Sequence, residues 1–321
     1  MDPKFLVLPA LLVCAVLVSL VSKKIPKDRD KAIQALFTIL VPTRVAWPHE
    51  YMHLVDHSVS ARSKTVTVSM TSFIDAICSG KIEIRNSADL PKLFSDKLNA
   101  HGWRVRFGLD SSWSWVVVAW VVGKHFSWQV KPTPRRRALK RAHGVSEPKE
   151  SITPLSLTPN SCLHLDYIPL AQLEPSLVQL RATLPAGTSA TLEFTTSAAH
   201  LSFLSPQFTI SAVPFLPRKR VGRSGVARTA TPLFASIHRI LELLTAGPAA
   251  LALESVSNES IKYANALNAA ATQLEQDPAA RSAFIQQWKE EGWRERRLML
   301  VWEAALFSAG HLMRWVVVVR R

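Results

Sequence analysis

His49-Glu50-Tyr51-Met52-His53 is the stretch whose residue types and spacing lend themselves most directly to chemistry. On an α-helix, two histidines four residues apart share one face, one turn above the other. Two imidazoles so placed can grip a single zinc ion. Glu50, rotated off that pair, can reach a metal-bound water and take its proton as general base. A catalytic zinc keeps three protein ligands and one open position. The third ligand must therefore come from elsewhere in the chain.

Asp56 and His57 fall in the same arc of such a helix, but His49 and His57 would lie about 12 Å apart along its axis. All three histidines cannot hold one ion. His53 and His57 form a competing pair without a glutamate in the register of Glu50, and Asp56 or His57 suits a role orienting the ligands. Asp75, Asp89, Asp110, Glu254, Glu259, His101, His125 and His164 are the remaining candidates for the third position. His200, His238 and His311 have no local ligand partner.

These residues resemble the zincin superfamily of metallopeptidases, over Trp47 to Asp56 and nowhere else. The resemblance implies His49 and His53 as zinc ligands, Glu50 as the general base, and a zinc-dependent endopeptidase acting on a protein or peptide substrate. Asp56 and Val59 stand where the metzincin form has its glycine and third histidine. Glu254 is followed four residues on by Asn258, and Glu259 by Tyr263, so neither supplies the gluzincin pair. The apolar N-terminus resembles that of membrane-bound metallopeptidases of the site-2 type, although no Asp-Gly partner is present.

The elements that must position the motif begin with an apolar run. Phe5 to Val21 carries no charge, and Lys23, Lys24, Lys27, Arg29 and Lys31 follow it, with only Lys4 before it. That pattern predicts a short spanning helix with the body on the cytoplasmic side; a cleaved signal peptide is the rival reading. Ala32 to Trp47 is apolar again, and a helix is expected from Pro48 to about Ala61. Thr65 to Met70, Lys81 to Arg85, Trp103 to Leu109 and Trp113 to Val122 read as strands, and Leu90 to Ala100 as a helix. Lys131 to Arg141 is a basic linker, and Pro148 to Pro159 is rich in Pro, Ser and Thr. Short alternating segments between Ser161 and Leu216 suggest a β region. The last third reads as helical, and its apolar run Leu298 to Val319 contains Glu303, His311 and Arg314, which argues for a core-facing or interfacial helix over a spanning one.

The fold class expected is α+β: a membrane anchor over 1–22, a mixed α/β domain with the motif helix over 23–130, a linker over 131–160, a β-rich region over 161–216, and a basic loop with a helical C-terminal region over 217–321. The net charge of +15 favours anionic partners. The clusters Lys131 to Arg141 and Arg218 to Arg228 would meet anionic lipid more readily than nucleic acid, since no nucleic-acid-binding motif accompanies them; the plain alternative is a solvated loop. Trp113, Trp115 and Trp120 suit a core face, and Trp288, Trp293, Trp302 and Trp315 either a core or an interfacial belt. Cys14, Cys78 and Cys162 form no C-x-x-C spacing, which leaves only a Cys78–Cys162 bridge open. With no glycine-rich phosphate loop and no Gly-x-Ser-x-Gly, nucleotide hydrolysis and serine-hydrolase chemistry have no support. The second functional reading is a non-enzymatic membrane-associated protein that uses its basic loops and helical C-terminus for assembly.

Overall fold

The computed structural model describes residues 26–44, 49–55, 63–125, 162–198, 201–216, 220 and 228–321. The chain mixes helices and strands and divides into two units. One comprises the described residues up to Asp110 with Glu290–Glu295, and the other the described residues from Ser111 to Lys289 with Arg296–Arg321.

In the N-terminal unit, α1 (Pro26–Leu36) buries Ala32, Ile33, Ala35 and Leu36 along one helical face. A short strand β1 (Leu40–Pro42) pairs antiparallel with β3 (Ile82–Ile84). The main sheet has the order β2 (Thr65–Ser69), β5 (Trp103–Gly108), β4 (Leu98–Ala100), with β2 parallel and β4 antiparallel to β5. Strict alternation builds it: Val66, Val68, Trp103, Val105 and Phe107 are buried, while Arg104 and Arg106 are exposed. Helix α2 (Met70–Cys78) starts where the Ser69 hydroxyl accepts the Ser72 N–H at 3.3 Å. Phe73 meets Phe107 edge to face at 5.1 Å. The expected helix over Leu90 to Ala100 stops early: α3 (Leu90–Phe94) ends and the chain enters β4.

The C-terminal unit begins with α4 (Ser111–His125). The strand expected over its apolar run is corrected to a helix. A short β-branched run cannot be told from a helix by periodicity alone, and here Val117, Trp120 and Val121, at helical spacing, are buried while Trp115 is 72% exposed. The unit's sheet has the order β6 (Cys162–His164), β7 (Ser189–Ser197), β9 (Leu312–Arg320), β8 (Ala252–Asn258). β6 and β7 are parallel, joined through α5 (Leu170–Thr183), and β9 runs antiparallel to both of its neighbours. One sheet face packs Ala190, Leu192, Phe194, Val317 and Val319 against Leu173, Leu177 and Leu180 of α5 and Ile240 and Leu244 of α8 (Ile237–Thr245).

The expected β region over 161–216 is corrected to a mixed one. Leu177 to Thr183 lies in α5, because Leu173, Leu177, Leu180 and Leu184 recur at helical spacing. Pro206–Ala212 forms helix α6, capped by Ser205, whose hydroxyl accepts the Phe208 N–H at 3.1 Å. The C-terminal third is likewise not wholly helical. After α7 (Thr231–Phe234) and α8 it supplies β8, then α9 (Ser260–Gln276) and α10 (Pro278–Ser308). Lys289, at φ 60° and ψ 173°, interrupts α10 with a backbone geometry that side chains rarely tolerate. Gly310, at φ 73°, ends the last helical stretch and lets Leu312–Arg320 enter the sheet as β9.

The expected anchor over Phe5 to Val21 lies outside the described residues. Among the described residues no helix is long and apolar enough to cross a membrane, so the single-pass placement finds no support. Lys131 to Arg141 also lies outside the described residues.

The packing yields a paired prediction. Leu177 is fully buried, and Val178 beside it is 43% exposed. Leu177→Ala should lower unfolding free energy by about 2–5 kcal/mol, and Val178→Ala should change it by about 0.5 kcal/mol or less. Urea unfolding of both variants checks this, and equal losses would contradict the assigned face.

Candidate functional site

The His-Glu-x-x-His segment forms a short 3-10 helix, His49–Leu54, and not the expected α-helix to about Ala61. Tyr51 and Leu54, three apart, are its buried residues, and Tyr51 packs edge to face on Phe37 at 5.3 Å. A three-residue turn brings that apolar pair onto one face. The same turn rotates His53 about 120° away from His49, so the shared imidazole face is lost. His53 stands over Glu50 instead, its Nδ1 2.8 Å from the Glu50 carbonyl oxygen. His49, Glu50 and His53 are all exposed.

Among the described residues, no group of three potential metal ligands includes His49 or His53. Asp75 and His101 are exposed, Asp89 binds Asn86 and Lys92, and Asp110 accepts the Ser69 hydroxyl at 2.9 Å. Glu254 accepts from Ser189, and Glu259 lies 3.3 Å from Lys262. Asp56 and His57 lie outside the described residues. Among the described residues, the one group of three potential metal ligands is Cys162, His164 and Glu193.

That group belongs to a charged network in the C-terminal unit. β6 runs into a short turn that carries Asp166, which is buried. The Asp166 carboxylate accepts the Thr195 N–H at 2.7 Å, the Thr195 hydroxyl at 2.9 Å and Arg314 Nη1 at 2.9 Å. The other arm of Arg314, Nη2, donates to Glu193 at 2.7 Å. Strand register makes this possible, since Arg314 on β9 pairs with Thr195 on β7. The backbone of Arg314 is fixed from the other side: its N–H donates to the Ser260 hydroxyl at 2.9 Å, and its carbonyl accepts the Glu259 N–H at 2.9 Å.

A second layer follows. The Arg314 guanidinium lies 5.0 Å from the centre of the Tyr263 ring. The Tyr263 hydroxyl accepts from Arg228 Nη2 at 3.2 Å, and Arg228 Nη1 donates to Glu303 at 2.7 Å. Arg228, from the expected basic loop, is therefore paired inside the unit and not solvated. Thr229 ties this strap down, its N–H and hydroxyl donating to the Asp166 carbonyl at 3.2 and 3.0 Å. Burial opposes the charge on Arg228, but Glu303 and Tyr263 hold its pKa above the usual arginine value. Burial and the Glu303 charge push the Tyr263 phenol up.

Arg296 sits on α10 seven residues before Glu303, two turns along nearly the same face. Among the described residues it makes no hydrogen bond or close ion pair. Burial lowers its pKa, and although Glu303 opposes the shift, the like charge of Arg228 adds to it.

On the edge strand, Cys162 is an exposed thiol and Cys78 is buried, and the disulfide left open between them is not formed. Burial and its hydrogen bond to Glu193 push the Cys162 thiol up. His164 Nδ1 lies 3.5 Å from Glu193.

No protein-family model matches the chain, and no curated protein does. Solved structures match it in part. Mycolic acid cyclopropane synthase CmaA1 complexed with SAH and CTAB is 14% identical with a TM-score of 0.38, over 52% of this chain and 57% of that one. The apo form of CmaA1 is 16% identical with a TM-score of 0.35, over 51% and 59%. Cyclopropane synthase MmaA2 from Mycobacterium tuberculosis is 13% identical with a TM-score of 0.39, over 58% and 66%. The chain thus spans about three fifths of the length of these structures, a partial likeness of chain path from which no activity is carried over. With the motif wound as an exposed 3-10 turn, the zincin resemblance, the zinc cofactor and the endopeptidase reading are overturned. The alternative of a membrane-associated assembly protein gains nothing from these matches or from the described residues.

Sequence reasoning missed Asp166, Glu193, Thr195, Arg228, Tyr263 and Arg296 as a group. The signal available was the placing of Glu303, His311 and Arg314 in an apolar run, because ionisable residues there are rarely buried unless paired.

The pairing carries a pH prediction. Burial disfavours the charge on Glu193, but hydrogen bonds from Arg314 and Cys162 outweigh it and hold the carboxyl below its ordinary value of 4.5. A depressed carboxylate adds stability that is complete above its unfolded pKa and is lost as pH falls through the folded one. Unfolding free energy should therefore drop below about pH 4.5, with a shallower acid limb in Glu193→Gln. Identical acid limbs in the two proteins would contradict the Arg314–Glu193 pairing.

Proposed function

We propose that the C-terminal unit binds a small ligand bearing an oxyanion, a phosphate or a carboxylate, beside Arg296 and Arg228. The observation that carries this reading is Arg296, a half-buried guanidinium set beside a second arginine without a hydrogen-bonded counter-ion among the described residues. Arg228 is already hydrogen-bonded to Glu303, so Glu303 reaches Arg296 only through its charge. A planar guanidinium is suited to grip phosphate or carboxylate through two parallel hydrogen bonds.

The location supports the reading. Open α/β sheets bind ligands outside the carboxyl ends of their parallel strands. Asp166 follows β6 directly, and the strap carrying Arg228 and Thr229 is bonded to it. Tyr263 and the nearby Tyr167 offer ring surface beside the charges. The proposal is one of binding, and the anion enters as the hydrogen-bonded partner of Arg296.

Calorimetric titration of the full chain with inorganic phosphate, and separately with citrate, tests it. Saturable binding by one of the two, weakened by added salt, is expected. Arg296→Gln should weaken it about tenfold or more, the loss of a charge-assisted bond worth about 1.5–3 kcal/mol. Absence of saturable binding in both titrations, or binding unchanged in Arg296→Gln, would overturn the reading.

A further inference from the structure

We infer that Cys162, His164 and Glu193 form a binding site for one divalent transition-metal ion, separate from the proposed anion site and independent of it.

The sheet itself brings the three side chains together. Residues two apart on a strand point to the same face, so Cys162 and His164 project side by side from β6. The parallel register sets His164 beside Glu193 and Cys162 beside Thr191 on β7. Glu193 is thus the lateral neighbour of one ligand and the diagonal neighbour of the other. The sulfur, the imidazole nitrogen and the carboxylate oxygen all lie within 4.8 Å of one another.

The donor set states the class of ion. Thiolate and imidazole ligands select first-row transition metals over magnesium or calcium, which prefer oxygen alone. Two exposed ligands leave the outward side of the site open, so a fourth position is available to water. On binding, the Cys162 thiol gives up its proton to solvent and the sulfur–metal bond forms; no oxidant or reductant is involved.

The surroundings fit a held site better than a chance surface cluster. Glu193 is not a loose carboxylate: Arg314 Nη2 grips it at 2.7 Å, and Arg314 is itself anchored on Asp166 and Thr195. Outer partners of this kind orient a ligating carboxylate and are part of metal affinity. On the imidazole side, the Tyr167 ring meets His164 edge-on at 6.4 Å between centroids. A nucleophilic cysteine would instead need its sulfur matched to a base that takes its proton, whereas Glu193, the hydrogen-bond partner of Cys162, is committed to Arg314.

Titration of the reduced full chain with cobalt(II) provides the test. One equivalent should produce the near-ultraviolet absorption of a thiolate–cobalt bond. Cys162→Ser should abolish that band, and its exposed position lets the variant fold. His164→Gln should raise the cobalt concentration needed by about 10–100-fold or more, since even outer-partner losses weaken metal binding by about that much. Cys78→Ser should leave the band unchanged. No band on the wild-type chain, or a band that survives Cys162→Ser, would overturn the site. The anion titration does not depend on either result.

Discussion

The C-terminal unit is organised around one guanidinium. Arg314 comes from an inner strand of the sheet and lies in the interior, where an unpaired charge would be very costly. Its two arms fork between Asp166 and Glu193, its plane rests against Tyr263, and its backbone is held by Glu259 and Ser260. This single side chain therefore relates the turn after β6, the middle of β7, and the start of α9. A buried ion pair is not by itself a strong source of stability. What it does supply here is register: a one-residue slip of β9 would turn Arg314 to the apolar face of Leu192, Phe194 and Val317.

From that constraint the two proposed sites follow on opposite sides of the network. Towards the sheet edge, Arg314 holds Glu193 in line with His164 and Cys162. Towards α9 and α10, it faces Tyr263, which links it to Arg228 and Glu303, beside which Arg296 makes no hydrogen bond among the described residues. The pairing of β6 with β7 assembles the first site, and α10 with the strap tied to Asp166 assembles the second. The N-terminal motif lacks such support. His49 and His53 are carried by a short exposed turn whose geometry is set by burying Tyr51 and Leu54.

Much of the N-terminal unit is legible in its sequence. The alternation of Val66 and Val68, and of Trp103, Val105 and Phe107, marks half-buried strands, and both form. The C-terminal unit is less so. Its runs of β-branched residues read alike as strand or helix, so Trp113 to Val122 reads as a strand although it forms α4, and Trp315 to Val319 reads as helix although it lies in β9. The motif misleads for a related reason: spacing alone cannot separate 3.6 residues per turn from three, and four-residue spacing aligns histidines only in the first case. Beyond the ionisable residues of the apolar run 298–319, the network does not show in the sequence, because its members span residues 162 to 314 and Asp166, Glu193, Thr195 and Arg314 meet through the order β6-β7-β9.

Asp166 and Arg314 act as one unit. A double-mutant cycle with the apolar replacements Asp166→Leu and Arg314→Met, followed by urea unfolding, measures that directly. Arg314→Met should cost about 3–5 kcal/mol, because it strands Asp166 in the interior, and Asp166→Leu about 2–3 kcal/mol, because Arg314 keeps Glu193 while the Thr195 N–H loses its acceptor. The double change should cost less than their sum by at least about 2 kcal/mol. Losses that add to within about 0.5 kcal/mol would show that the two residues do not depend on each other, and would contradict the central role given to Arg314.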